Sequence, residues 1–148
     1  MRKDLSVHYS SKTCEHATPR PLKPFIDAMW GPNLDVCATP ENAFCDRFFT
    51  KEDDGLVQPW DTHPDTVVWC NPPYGREMPR WIERCAYYSG LGITCLLLLP
   101  ARTDTKIFHR VVRHGELHYF RGRLRFGDAP SVAPFPSLLC VLWGKVHG

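Results

Sequence analysis

The sequence has no apolar run near the roughly 20 residues of a membrane-spanning helix. Its most apolar stretch, "ITCLLLL", has only the length of a buried strand. The opening "MRKDLSVHYS" lacks the apolar segment of a secretory leader. No two of the seven cysteines, at 14, 37, 45, 70, 85, 95 and 140, form a CxxC pair, and their number is odd. Most lie in apolar segments, so reduced core thiols fit better than a disulfide framework. A soluble intracellular protein is expected. Cys14-Glu15-His16, with His8 nearby, fits no zinc spacing well, so no metal is expected. Internal repeats and low-complexity linkers are also missing, and the net charge is only +2.

What is present suits one domain: 148 residues, 43% hydrophobic, enough for a single core. The 14 prolines are dispersed and punctuate loops. Charge is uneven. Residues 1–100 carry 10 Lys/Arg against 13 Asp/Glu, a charge of −3, and residues 101–148 carry 8 against 3, a charge of +5. A basic C-terminal third suits a polyanion partner. It also suits an ordinary solvated face.

Strand and helix signals alternate. "TPRPLKPFIDAMW" predicts a helix with Thr18 as N-cap and Pro19 in its first turn. "LDVCA" predicts a short buried strand, and "TPENAFC" repeats the capping pattern with Thr39 and Pro40. "RFFT" and "TVVWC" predict further strands, separated by the loop "EDDGLVQPWDTHPD". "MPRWIERCAYYSG" is an amphipathic helix with Trp81, Cys85 and Tyr88 on one face and Gly90 at its end. "GITCLLLLP" is a fully buried strand. "DTKIFHRVVRHG" predicts a helix with Ile107, Val111 and Val112 inward and Asp104 near its start. "ELHYFRGRLRFG" predicts one or two strands, and "PSLLCVLWG" the last. Continuous apolar strands are covered on both faces, which favours an α/β three-layer domain with a mostly parallel sheet.

The segment with most chemical content is "WCNPPYG", residues 69–75. Pro72 and Pro73 remove two backbone donors and fix two φ angles. Pro72 also biases Asn71 toward extended geometry. The result is a rigid turn at a strand end, rich in acceptors, with a carboxamide and a flat ring. Asn71 and the Pro72 carbonyl can accept both hydrogens of a conjugated NH2 group. They orient its lone pair and stabilise the positive charge that develops as it attacks. Tyr74 can stack on the ring that carries the amine, worth about 1–3 kcal/mol per base. The bland alternative is a tight Pro-Pro turn.

"NPPY" after a buried strand is the signature of amino-group methyltransferases that use S-adenosylmethionine. The wider pattern "LDVCATPENAFC…FFTKEDDGL…VVWCNPPYG…LLLPARTDT…GRLRFG…APFPSLL" resembles the phage-type, Dam-like DNA N6-adenine methyltransferases across nearly the whole chain. The resemblance implies a Rossmann-like methyltransferase sheet ending in an antiparallel hairpin. It implies S-adenosylmethionine as cofactor, DNA as partner and the cytoplasm of a bacterial host as location. It assigns catalysis to Asn71, Pro72, Pro73 and Tyr74. It sets Asp35 toward the methionine end of the cofactor with the Ala38 and Thr39 backbone nearby. It matches Thr18 and Pro19 to an element that holds the methionine carboxylate, and Asp54 to the acid that meets the adenine amino group. Phe135 falls where related enzymes place an aromatic residue against the target base. The chain departs from the pattern in two ways. "DVCATPEN" has no glycine-rich turn, so close approach would use Ala38 and Thr39. His16 stands where an aromatic residue is common. Glu41 and Asp46 are both candidates for the ribose-binding acid.

A target base lies inside the duplex, so such an enzyme must extrude it or act on single strands. Arg76 and Arg102 are expected on the rim of the site. Arg121, Arg123 and Arg125 would share a face if their segment is a strand. The whole chain, 1–148, reads as one catalytic domain without a separate target-recognition domain, which implies short or relaxed specificity. "NPPY" also serves enzymes acting on RNA amino groups or protein glutamine, and a non-catalytic nucleic-acid-binding module is the reading from another class.

Overall fold

Alternation along the strands decides the architecture. The computed structural model describes residues 18–19, 21–127 and 131–146. Among these, β1 (Leu34–Asp35), β2 (Arg47–Phe48), β3 (Val68–Cys70), β4 (Cys95–Pro100), β5 (Glu116–Tyr119) and β6 (Ser137–Leu142) form one sheet in the order β2-β1-β3-β4-β6-β5. The first four are parallel. β6 runs against β4, and β5 runs against β6. The expected α/β sheet, mostly parallel with a C-terminal antiparallel pair, is therefore present. The last two strands are joined by a long connection rather than a tight hairpin turn.

β4 and β6 are buried along their full length. Cys95, Leu97 and Leu99 of β4 face one core with Leu138 and Cys140 of β6. Helix α2 (Met78–Gly90) covers that core with Trp81, Ile82, Cys85 and Tyr88. Leu96 and Leu98 face the second core with Leu139 and Val141, covered by Ile26 of α1 (Leu22–Met29), Phe44 and Phe135. Period-two strands thus feed two cores, one on each face of the sheet. Each buried leucine contributes about 1.5–3 kcal/mol, which makes β4 the anchor. α2 spans the segment its 3.6-residue period predicts.

Three local expectations are corrected and a fourth is narrowed to one strand. α1 starts at Leu22 with Pro21, not Thr18, in the capping position and without a side-chain cap bond. A hydroxyl cap accepts from the second or third helical N–H, but the third residue, Pro24, has none, and Leu22 N–H donates to the Pro19 carbonyl. Thr39 and Pro40 open a turn rather than a helix: Asn42 Oδ1 accepts from Thr39 N–H, and Asn42 N–H donates back to the Thr39 carbonyl. The third helix, α3, covers only Lys106–Arg110, capped by Thr105 Oγ1. Val111 leaves the helical region at φ −126°, and a 3-10 turn over Val112–His114 follows. That break brings Val112 into the core while Ile107 and Val111 stay half-buried. Strand structure in "ELHYFRGRLRFG" stops at Tyr119, and Gly122 has a left-handed φ of 76°. Arg121, Arg123 and Arg125 are exposed but share no strand face.

Candidate active site

The strand order reverses beside β1, which has β2 on one side and β3 on the other. In open α/β sheets, ligands bind outside the carboxyl ends of strands at such a reversal. Asp35 is paired with Trp69, so the chain leaves β1 and β3 side by side. One exit carries residues 36–44 and the other carries Asn71, Pro72, Pro73 and Tyr74.

Asn71, Pro72 and Pro73 are buried at the end of β3, and Tyr74 is half-buried. The Tyr74 ring meets Phe135 edge-on at 4.9 Å and Phe126 at 6.0 Å. The Arg102 guanidinium lies 6.0 Å from the Phe135 ring. Tyr74, Arg102 and Phe135, distant in sequence, therefore converge. Arg76 is exposed just beyond Gly75, whose φ is 118°.

Beside the corner is a cavity of about 250 Å³, with Val36, Cys37, Asp54, Leu56, Pro73 and Trp81 in its walls. Gly55 also lines it, and here a glycine is required. An added Cβ would stand 2.1 Å from the Val36 carbonyl oxygen and 3.0 Å from the Trp81 ring. Trp60 Nε1 donates to the Gly55 carbonyl at 2.8 Å and fixes the segment. Asp54 has φ 59°, is exposed, and accepts from Leu56 N–H through Oδ1. The Trp81 indole N–H has no hydrogen-bond partner among the described residues.

Asp35 plays a different part. It is buried, and its two oxygens accept from Cys37 N–H at 3.1 Å and Phe44 N–H at 2.9 Å. Burial pushes its carboxyl up to about 7, and the two backbone bonds only partly oppose this. Phe44 is held from three sides. Its ring stacks on Trp69 at 4.3 Å, and Lys23 Nζ donates to its carbonyl at 2.8 Å while standing 4.4 Å over the ring. Asp35 thus ties down the loop that forms one cavity wall and is not itself in that wall.

The other sequence candidates separate clearly. Ala38 is buried and gives its N–H to the Phe49 carbonyl. Thr39 N–H is taken by Asn42. Neither borders the cavity, and neither do Glu41, Asp46, Thr18 or Pro19. Of the cavity's lining, Gly55, in "DDG", packs against the first residue after β1, Val36. Glu77, Arg80 and Trp81 were not anticipated in this role. Their signal was helical periodicity, which says only that Trp81 turns inward. His8, Cys14, Glu15 and His16 lie outside the described residues; among those described, no group of side chains could hold a metal.

A mostly parallel α/β sheet thus carries, beside its order reversal, a cavity of about 250 Å³ and a donor-poor Asn-Pro-Pro-Tyr corner. The chain belongs to the DNA N-6-adenine-methyltransferase (Dam) family, whose family model matches residues 8–134. It is 30% identical over 96 residues to a DNA N-6-adenine-methyltransferase of Escherichia phage T1. That match covers 62% of this chain and 38% of the phage protein, so the chain spans well under half the length of this relative. The resemblance to phage-type enzymes read from the sequence is borne out. No helix among the described residues is long and apolar enough to cross a membrane.

Proposed function

We propose that this chain transfers a methyl group from S-adenosylmethionine to N6 of adenine in DNA, within a Rossmann-like methyltransferase domain. The observation that carries the reading is the Asn71–Tyr74 corner at the carboxyl end of β3, next to the cavity at the sheet's reversal. The cavity residues suit a nucleoside. Val36, Leu56 and Trp81 offer apolar walls for a flat ring, Gly55 permits close approach, and Asp54 presents an exposed carboxylate to an exocyclic amine. The cofactor, when bound, supplies the electrophilic methyl group.

The chain's own residues then act on the amine. Asn71 Oδ1 and the Pro72 carbonyl accept the two N6 hydrogens. Pro72 and Pro73 have no N–H to compete for those acceptors. Holding both hydrogens directs the nitrogen lone pair out of the ring plane and stabilises the developing positive charge. Tyr74 and Phe135 confine the base after its extrusion from the stack, which itself costs a few kcal/mol. Arg76 and Arg102 anchor phosphates.

Nucleoside mass spectrometry on methylation-free DNA incubated with protein and S-adenosylmethionine tests this. N6-methyladenine is expected from the unmutated chain. Asn71→Ala should lower the rate by about 10²–10³-fold, the usual cost of removing one group that stabilises transition-state charge. Asn71 is buried, so Tyr74→Ala serves as a second variant, with near-ultraviolet circular dichroism reporting folding. No methylated base on either duplex or single-stranded DNA would overturn the reading and direct the assay to RNA and protein amides.

A further inference from the structure

A second cavity lies on the other side of the α2 N-terminus. It measures about 600 Å³, within the roughly 300–1,000 Å³ of small-molecule sites. Met78 and Ile82 of α2, Leu99 at the end of β4, and Ile107 and Phe108 of α3 make its walls apolar. Arg102, Lys106 and Arg110 also line it, and no acidic residue does. Arg110 pairs with Glu83, which ties α3 to α2. Tyr74 and Gly75 close the end nearest the catalytic corner.

The combination is selective. An apolar slot alone would suit many ligands, and a cationic rim alone would suit any polyanion. Together, with no opposing carboxylate in the lining, they suit a flat ring attached to phosphate. The groove opens on the sheet face covered by α2 and α3, whereas the Tyr74 ring turns into the opposite cluster with Phe126 and Phe135. The reacting base and an occupant of this groove would therefore lie on different sides of the corner.

We infer that this groove binds a nucleotide of the DNA strand next to the reacting adenine, with its base against Phe108 and its phosphate on Lys106 and Arg102. The inference rests on the proposed DNA substrate and adds a binding site for a neighbouring base. A catalytic chain would then read a flanking position from its own core.

Fluorescein-labelled oligothymidylate is a suitable probe, because it contains no adenine to react. Binding is followed by fluorescence anisotropy with the full chain. Phe108→Ala should weaken binding about fivefold or more, the lower end of a lost base–aromatic stack. Phe108→Tyr should retain it. Lys106→Glu should weaken it similarly, while Arg113→Glu, an equal charge change on the 3-10 turn outside the groove, should stay within about twofold. Affinity for S-adenosylmethionine should not change in any variant. The inference fails if the unmutated protein does not bind the probe or if Phe108→Ala binds as well as the unmutated protein. It also fails if Arg113→Glu loses as much as Lys106→Glu. Adenine methylation, measured on the same preparations, separates the two proposals. Methylation without groove-dependent binding removes only the groove. Groove-dependent binding without methylation removes only the chemistry.

Discussion

At Gly55 the missing side chain sets the separation between the loop after β1 and α2. A Cβ there would meet the Val36 carbonyl at 2.1 Å and Trp81 at 3.0 Å, and one neighbour is backbone. Gly55→Ala is expected to destabilise the fold by about 1–3 kcal/mol in urea unfolding, the usual cost of overpacking. It should also weaken S-adenosylmethionine binding measured by calorimetry, because the same shift deforms the cavity. Unchanged values for both would mean the wall yields without cost. Asp35 makes a prediction about pH. Burial raises its carboxyl from 3.8 to about 7, so between those values the folded chain holds a proton that the unfolded chain has lost. Its contribution to stability is complete below the unfolded value and is lost as the pH rises through about 7. The urea midpoint should fall as the pH rises from 3.8 to about 7 and level off above that, and Asp35→Asn should flatten that fall. An identical slope in the variant would place the proton elsewhere.

Among the elements, β3, β4, β6 and α2 each contribute a thiol to the same face of the sheet: Cys70, Cys95, Cys140 and Cys85. Cys37 joins them just past β1. These strands need small apolar side chains where α2 packs close, and a reduced cysteine behaves as one. Burial raises the thiols of Cys70, Cys85 and Cys95, and pushes those of Cys140 and the half-buried Cys45 up to about 12. Nucleophilic thiolate is therefore scarce at these five positions at neutral pH. Treatment with an aromatic disulfide reagent near pH 8, followed by peptide mass mapping, should leave Cys70, Cys85, Cys95 and Cys140 unmodified until denaturant is added. Rapid native labelling of any of them would show that α2 lifts from the sheet. The elements also show where local signals lose force. α2 follows its period because every third or fourth side chain meets one continuous core. α3 stops at Arg110 because burying Val112 outweighs one more helical turn.

At the scale of the molecule, net charge is small but its placement is not. Arg76, Arg102 and Lys106 all follow the carboxyl ends of β3 and β4, the side on which the Asn71–Tyr74 corner opens. A chain with net charge +2 should bind DNA through this side rather than through a general field. Affinity for DNA should fall with salt, with a log–log slope of about −0.9 for each phosphate engaged on a duplex. Arg102→Glu should make that slope shallower by about one such contact. A slope near zero would mean that phosphates are not held.

The sequence alone determined the elements whose apolar pattern is local, the continuous strands β3, β4 and β6 and the periodic helix α2, together with the Asn71–Tyr74 corner. Its stiffness is built into two adjacent prolines and needs no partner to exist. The tertiary structure alone decided how the distant pieces share work. Asp35 turns inward because Cys37 and Phe44 bring it two N–H groups, not because a strand-end acid must. Gly55 packs against the Val36 carbonyl because Trp60 and Trp81 hold its loop there. Tyr74 meets Phe135 because antiparallel pairing of β6 with β4 returns the chain to the corner. Such contacts depend on which strands become neighbours, and that is set by packing across the whole sheet rather than by any stretch of residues.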